Sequence, residues 1–266
     1  MRAGRGQLLW RFHGHLHDVW SRLARSVPGG WVEEASGLRC LATGSSSPAF
    51  NLALSGEGLR DPQAALDAAH DRFGRAELRW LLKLQPELDR EVVVQARRRG
   101  LDLDEEPVYA MAIRPWAATT ALASASRLSI SVAGSDTIDD AVLCFADAFD
   151  ADPQEVSREL GPNLLTIPTF TVFVGYLAEE PVASSMLATT RSVGLAGVYS
   201  VATRPDHRGR GFGTALTAAA LTAAAQQGYD TAVLEPSPSG AAMYRRMGFE
   251  PLTTYLEAVI SPSDGS

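Results

Sequence analysis

The chain has 266 residues, enough for two ordinary domains or one large one. Apolar residues make up 45% and charged residues 21%, the balance of a globular core and not of a disordered chain. A net charge of −7 makes nucleic acid and anionic lipid poor partners and favours a neutral or cationic small one.

Along the chain, residues 7–26 predict an amphipathic helix, with Leu9, Phe12, Leu16, Val19 and Leu23 at helical spacing and "SVPGG" as its stop. Strands are predicted at 31–34, 38–42 and 50–54. "DPQAALDAAHDRFG" predicts a helix with Asp61 at the N-cap, Pro62 at N1 and Gly74 past its end. A strand at 78–84, a helix at 88–99 and a strand at 108–113 follow. The small-residue run "WAATTALASASR" (116–127) is the candidate linker. It divides the chain into domains 1–120 and 127–266.

The second domain opens with a strand at 128–132 and a helix at 138–149. A second helix is marked by Asp152, Pro153 and Glu155 and stopped by Gly161–Pro162. Strands at 170–177, 182–190 and 197–203 form a meander, with "EEP" (179–181) as the first turn. A glycine loop leads into an alanine-rich helix that stops at Gly228. A strand (231–235), a helix (240–247) and a strand (254–260) complete the pattern, an α/β (α+β) class with a largely antiparallel sheet. Segments 78–101 and 231–249 share the order strand, proline, helix, basic pair, glycine, hydrophobe, an internal repeat that aligns Gly100 with Gly248 and Ala96 with Tyr244.

The loop "RPDHRGRGFGTAL" (204–216) carries the chemistry. It lies at a helix start, where unpaired N–H groups and partial positive charge attract anions. Its glycines let the backbone approach a ligand, and Arg208 and Arg210 add charge. At the matching place the first half has "SGEGLRDP", whose Glu57 and Asp61 repel an anion and whose Pro62 lacks an amide donor. A dinucleotide site is the rival, with Glu235 as its ribose contact. However, "RPDHR" separates the strand from the first glycine, and Thr214 stands where G-x-G-x-x-G needs its last small residue. An RNA-binding arginine–glycine segment is disfavoured by the ordered elements around the loop and by the acidic chain.

"VATRPDHRGRGFGTAL" resembles the acetyl-CoA signature of the GCN5-related N-acetyltransferases (GNAT), with Arg208, Gly211 and Gly213 at its defining places. "SPSGAAMYRRMGF" is similar to that family's second signature, through Ser237, Tyr244 and Met247-Gly248-Phe249. The match covers about 128–260, and the first half resembles the degenerate half of tandem members. The resemblance implies two tandem GNAT-like domains and acetyl transfer from acetyl-CoA, a co-substrate, to a small-molecule or peptide amine without a metal. It implies that Val201, Ala202 and Thr203 bond the pantetheine through their backbone. It implies that the amides of Gly209, Arg210, Gly211, Phe212, Gly213 and Thr214 hold the pyrophosphate, and that Tyr244 protonates the leaving thiolate. Some family members carry a glutamate on the strand before the loop, but "GLAGVYSVAT" (194–203) has no acid. The general base is therefore unassigned, with Glu235 and the C-terminal segment as candidates, and an acyl-CoA-binding sensor without catalysis is the alternative.

The remaining features have structural readings. Cys40 and Cys144 are expected to be reduced core thiols. The N-terminus lacks a secretion signal, and the longest apolar stretch, 215–225, is too short to span a bilayer, so the expected location is the cytoplasm. "HGHLHD" (13–18) places His13 and His17 on one helical face without an evident third ligand, and it is expected to be a solvated surface. The arginines at 97–99 suit a helix C-terminus. Trp10, Trp20, Trp31, Trp80 and Trp116 are expected to anchor a core or a domain interface.

Overall fold

The computed structural model describes residues 2–56, 58–103, 108–114 and 128–264. Glu57, Trp116 and the candidate linker lie outside them. The chain divides into two compact units, one of Met1–Val19 with Ala110–Leu252 and one of Trp20–Tyr109 with Thr253–Ser266. The sequence-based division at 1–120 and 127–266 is contiguous, whereas these units are not.

The unit built mainly from the first half has a sheet of β1 (Trp31–Ala35), β2 (Leu38–Ala42), β3 (Asn51–Ser55), β4 (Trp80–Leu84) and the end of β11 (Glu250–Ile260). Its pairs are antiparallel except β3/β4. Helix α2 (Pro62–Arg75) connects β3 to β4, as a parallel pair requires, and α3 (Arg90–Arg98) follows. Phe73 stacks on Trp80 at 4.8 Å in a core that includes Leu82, Val92 and Ala96.

The other unit has the sheet order β6 (Ser129–Val132), β7 (Phe170–Leu177), β8 (Glu180–Thr190), β9 (Leu195–Thr203), β10 (Ala232–Leu234), β5 (Val108–Ile113). Only β9/β10 is parallel, joined through α6 (Phe212–Gln226), with α7 (Ala241–Arg246) after β10. Helices α4 (Ile138–Phe149) and α5 (Pro153–Leu160) precede β7. Neighbouring serines on β8 fix the layers, since Ser184 bonds the Ala141 carbonyl of α4 and Ser185 the Leu216 carbonyl of α6. Successive strand residues point to opposite faces, so α4 and α6 cover opposite faces of the sheet. Helix α1 (Arg2–Ser26) begins in this unit, where Arg5 donates to the Leu252 carbonyl and Arg11 to those of Val193 and Gly194.

Each sheet is thus closed by a strand from the other half of the sequence. The two segments aligned in the sequence end their helices in the same way. Leu101 N–H bonds the Ala96 carbonyl at 3.1 Å and Phe249 N–H bonds that of Tyr244 at 3.0 Å, each across a left-handed glycine, Gly100 or Gly248. The same stop recurs at Leu78 N–H to the Phe73 carbonyl and at Tyr229 N–H to that of Ala224, so it is a general helix ending here and not a mark of the repeat.

Several local expectations change. The β7–β8 turn is Ala178–Glu179, both left-handed, and Glu180 already pairs with Leu177. This is a two-residue hairpin whose twist matches its strands. Gly74 lies inside α2, and Glu77, at φ 55°, makes the turn that follows. Trp10 is 60% exposed and anchors no core, because it lies off the apolar stripe of α1.

Cys40 and Cys144 are buried and free, and burial pushes each thiol up to about 12. Their folded values exceed the unfolded value near 8.5. Stability from this source is complete below that pH and falls as pH rises toward 12. The urea midpoint is expected to drop between pH 8 and pH 10.5, and to drop less when both cysteines are alanine. Equal slopes would remove the thiols from the account.

Candidate active site

Strand β9 is bent where the site begins. Ser184 opposes Ala202 and Met186 opposes Tyr199, so Ser200 and Val201 face the single residue Ser185, with Ser200 at φ 51°. This bulge increases the local twist. The ladder from β9 to β10 covers only Ala196 and Gly197, so Val198–Thr203 has no recorded pairing on that side among the described residues. The two parallel strands diverge after Gly197. The backbone of Val201, Ala202 and Thr203 borders the split.

The loop then turns through Pro205–His207, and Gly209 (φ 74°) and Gly211 (φ 80°) take left-handed conformations that side chains resist. Gly211 is the N-cap of α6 and supplies no side-chain cap. The first loop bond into the helix is Ala215 N–H to the Gly211 carbonyl. No amide from Gly209 to Thr214 has a protein partner among the described residues. Phe212 buries its ring in the core, leaving its N–H at the loop. Gly213 has another reason, because a Cβ there would lie 3.2 Å from Met243 Sδ where α6 meets α7.

The arginines divide their work. Arg208 donates to the Thr203 and Ala148 carbonyls and braces the loop. Arg210 is exposed, 3.2 Å from His207 Nδ1 and over the Phe212 ring. Arg204, which the sequence reading missed, ties the end of β9 to Asp147 at 2.7 Å and Glu180 at 3.0 Å.

In the first half, α2 occupies the corresponding strand–helix junction. There Asp61 accepts from Ala64 N–H at 3.1 Å, so a carboxylate of the chain fills the place of an external anion. The depression of about 350 Å³ beside it is lined by Asp61, Gln63, Arg90, Glu91 and Arg98.

Tyr244, on α7, is 7% exposed and meets Phe249 edge-on at 5.7 Å. Burial raises its phenol to about 12, with Thr217 acting in the opposite direction. Ser237 is exposed, and its hydroxyl accepts from Gly240 N–H at 3.2 Å, shaping the turn into α7.

The histidine motif is not a solvated surface. His13 and His17 are 7% exposed and His15 is 0% exposed. His13 and His17 touch through their Nε2 atoms at 3.1 Å. His15 Nδ1 lies 2.8 Å from Thr190 Oγ1, which donates to Asp18 at 2.7 Å. His15 also stacks on Tyr199, and Tyr199's hydroxyl is buried without a hydrogen-bond partner among the described residues. The available signal was spacing, since His15 falls three residues from Phe12 and four from Val19 and so lies in the apolar stripe. No group of three metal-ligating side chains occurs among the described residues, and none of their helices is long and apolar enough to cross a membrane.

The bulged strand that diverges from its parallel neighbour thus leads directly into an uncapped helix start. Residues 129–252 match the acetyltransferase (GNAT) domain family. A search of the curated proteins finds no match. Similar solved structures include a GCN5-related N-acetyltransferase from Kribbella flavida, at 22% identity over 94% of both chains with a TM-score of 0.68. A tandem GNAT protein from the clavulanic acid biosynthesis pathway shares 14% identity over 85% of this chain and 78% of its own, with a TM-score of 0.58. A functionally unknown conserved protein from Staphylococcus epidermidis shares 14% over 88% of this chain and 94% of its own, with a TM-score of 0.60. At these identities the likeness is one of fold, and it extends over both halves.

Proposed function

We propose that the protein transfers the acetyl group of acetyl-CoA to a primary amine of a small molecule or peptide. The observation that carries this is the run of amides from Gly209 to Thr214, none with a protein partner among the described residues, at an uncapped helix start. Such amides suit a pyrophosphate, and charge-assisted bonds contribute roughly 1.5–3 kcal/mol each. Arg210 adds charge at the rim, and Arg208 acts by holding the loop. The backbone of Val201, Ala202 and Thr203, which pairs with β8 but has no strand partner on the β10 side among the described residues, takes the pantetheine amides, as a strand would. Ser237 lies at the start of α7 and borders the same ligand. Tyr244 supplies the proton for the leaving thiolate. No step requires a metal. Two reduced, buried thiols fit a reducing compartment such as the cytoplasm.

The test is calorimetric titration with acetyl-CoA, followed by free-thiol release with a panel of polyamines, aminoglycosides and amino-acid amines. Saturable binding with amine-dependent release is expected. Binding without turnover of any amine would leave a non-catalytic acyl-CoA sensor, and absence of binding would overturn the cofactor assignment.

A further inference from the structure

The charges at the glycine loop are not all spent. Arg204 is bound to Asp147, Glu180 and the Pro181 carbonyl, and Arg208 to the carbonyls of Thr203 and Ala148. Of the three arginines, only Arg210 meets neither an acid nor a carbonyl among the described residues. We infer that Arg210 and His207 form a phosphate subsite beside the amide run, which takes the phosphomonoester on the ribose of acetyl-CoA together with a proton. The inference rests on the cofactor assignment proposed above.

Position is the first argument. Arg210 lies inside the run Gly209–Thr214, so its side chain leaves the same backbone whose amides are offered to the pyrophosphate. Its guanidinium carbon stands 4.9 Å from the centroid of the Phe212 ring, at the first residue of α6. His207 ends the short turn Pro205–His207 just before the run. Both side chains are reachable from solvent, since Arg210 is exposed and His207 half-buried.

The hydrogen bond between the two is the second. A guanidinium only donates, so at 3.2 Å His207 Nδ1 accepts from Arg210 Nη1. This sets the neutral ring with its proton on Nε2, 3.6 Å from Glu180 Oε1. Once His207 takes a proton, Nδ1 becomes a donor as well, and two like charges face each other across the gap. An anion between them removes the conflict, because it accepts from Arg210 Nη1 and from His207 Nδ1 at once. The ligand thus replaces the imidazole lone pair as the partner of Arg210, and Glu180 favours the imidazolium from the Nε2 side.

The third is the kind of anion. A phosphomonoester carries about −1.5 to −2 charge at neutral pH and three strong acceptor oxygens, so it satisfies two cationic donors and keeps an oxygen for water. Acetyl-CoA bears such a group on its ribose in addition to the pyrophosphate that the amides suit, and its dephospho form lacks it. The charged groups around His207 are Asp206, Arg208 and Arg210 on its own loop, Arg204 at the end of β9, Glu180 at the start of β8, and Asp147 of α4 behind Arg204.

The experiment is calorimetric titration of the full chain with acetyl-CoA and with acetyl-dephospho-CoA across the range where a free imidazole, with a pKa of about 6.5, loses its proton. Each titration is run in two buffers of different ionisation enthalpy, for the wild type, H207Q and R210Q. At the acid end the wild type is expected to bind acetyl-CoA about 10-fold or more tighter than the dephospho form, the factor that one charge-assisted hydrogen bond carries. The gap should narrow as pH rises, because binding then has to draw a proton from a more alkaline solution. About one pH unit above the imidazole value, net proton uptake should accompany acetyl-CoA and be absent with the dephospho form. H207Q still offers an oxygen to Arg210 but takes no proton, so its uptake should vanish and its preference should lose the pH dependence. R210Q should lose most of the preference at every pH. A wild type that binds both ligands equally, or proton uptake that persists unchanged in H207Q, would overturn the subsite and leave the amide run as the pyrophosphate site. A wild type that binds neither ligand would overturn the cofactor assignment and this subsite together.

Discussion

Gly211→Asp is expected to weaken acetyl-CoA binding at least ~100-fold while the protein stays folded. The substitution copies the first half of the chain, where Asp61 caps α2 and bonds the Ala64 amide. At position 211 a carboxylate would take amides of its own helix and repel the pyrophosphate. Losing two charge-assisted bonds of roughly 1.5–3 kcal/mol each is enough for that factor. The left-handed backbone at Gly211, φ 80°, is one that Asp and Asn enter more readily than other side chains, so strain stays small. Gly211→Asn separates the causes, because it caps without charge and should cost less. Calorimetric titration reads both. If Gly211→Asp binds as the wild type does, the pyrophosphate does not lie at the start of α6.

Tyr244→Phe is expected to lower kcat by ~100-fold or more, the usual range for a removed general acid, with little change in acetyl-CoA affinity. The variant keeps the edge-on packing against Phe249 and loses only the hydroxyl. A phenol raised to about 12 is a weak donor in water, but burial lifts thiols as well, as it lifts Cys144 to about 12. A thiolate leaving into the same apolar surroundings is therefore matched to the phenol. The raised value also sets the pH dependence. The phenol's contribution to stability is complete below its unfolded value of about 10 and is lost as pH rises toward 12. No alkaline loss of activity from Tyr244 is expected below pH 10 in the free enzyme. Unchanged turnover in Tyr244→Phe would return this residue to the core cluster it helps fill.

Most elements were legible because their signals are local. The apolar stripe of α1, the Asp–Pro starts of α2 and α5, and Gly228 after α6 each act through nearest neighbours along the chain. The glycine loop was legible for the same reason, since left-handed residues and a helix start lie within a few positions of each other. The bulge at Ser200 was not legible, because a two-against-one register exists only between paired strands. Arg204, with partners at 147 and 180, was equally invisible. The histidine motif was misjudged because the polarity of three imidazoles outweighed the spacing that put His15 in the buried stripe.

By itself, the sequence determined that a helix start with left-handed glycines exists in the second half and that a carboxylate and a proline take its place in the first. Those facts are settled by side-chain sterics and by which amides have donors to spare. Only the tertiary structure decided which strands close each sheet, where β9 parts from β10, and that α1 brings an imidazole against Gly197. These depend on contacts between residues far apart along the chain, which follow from how whole faces pack and not from any local pattern.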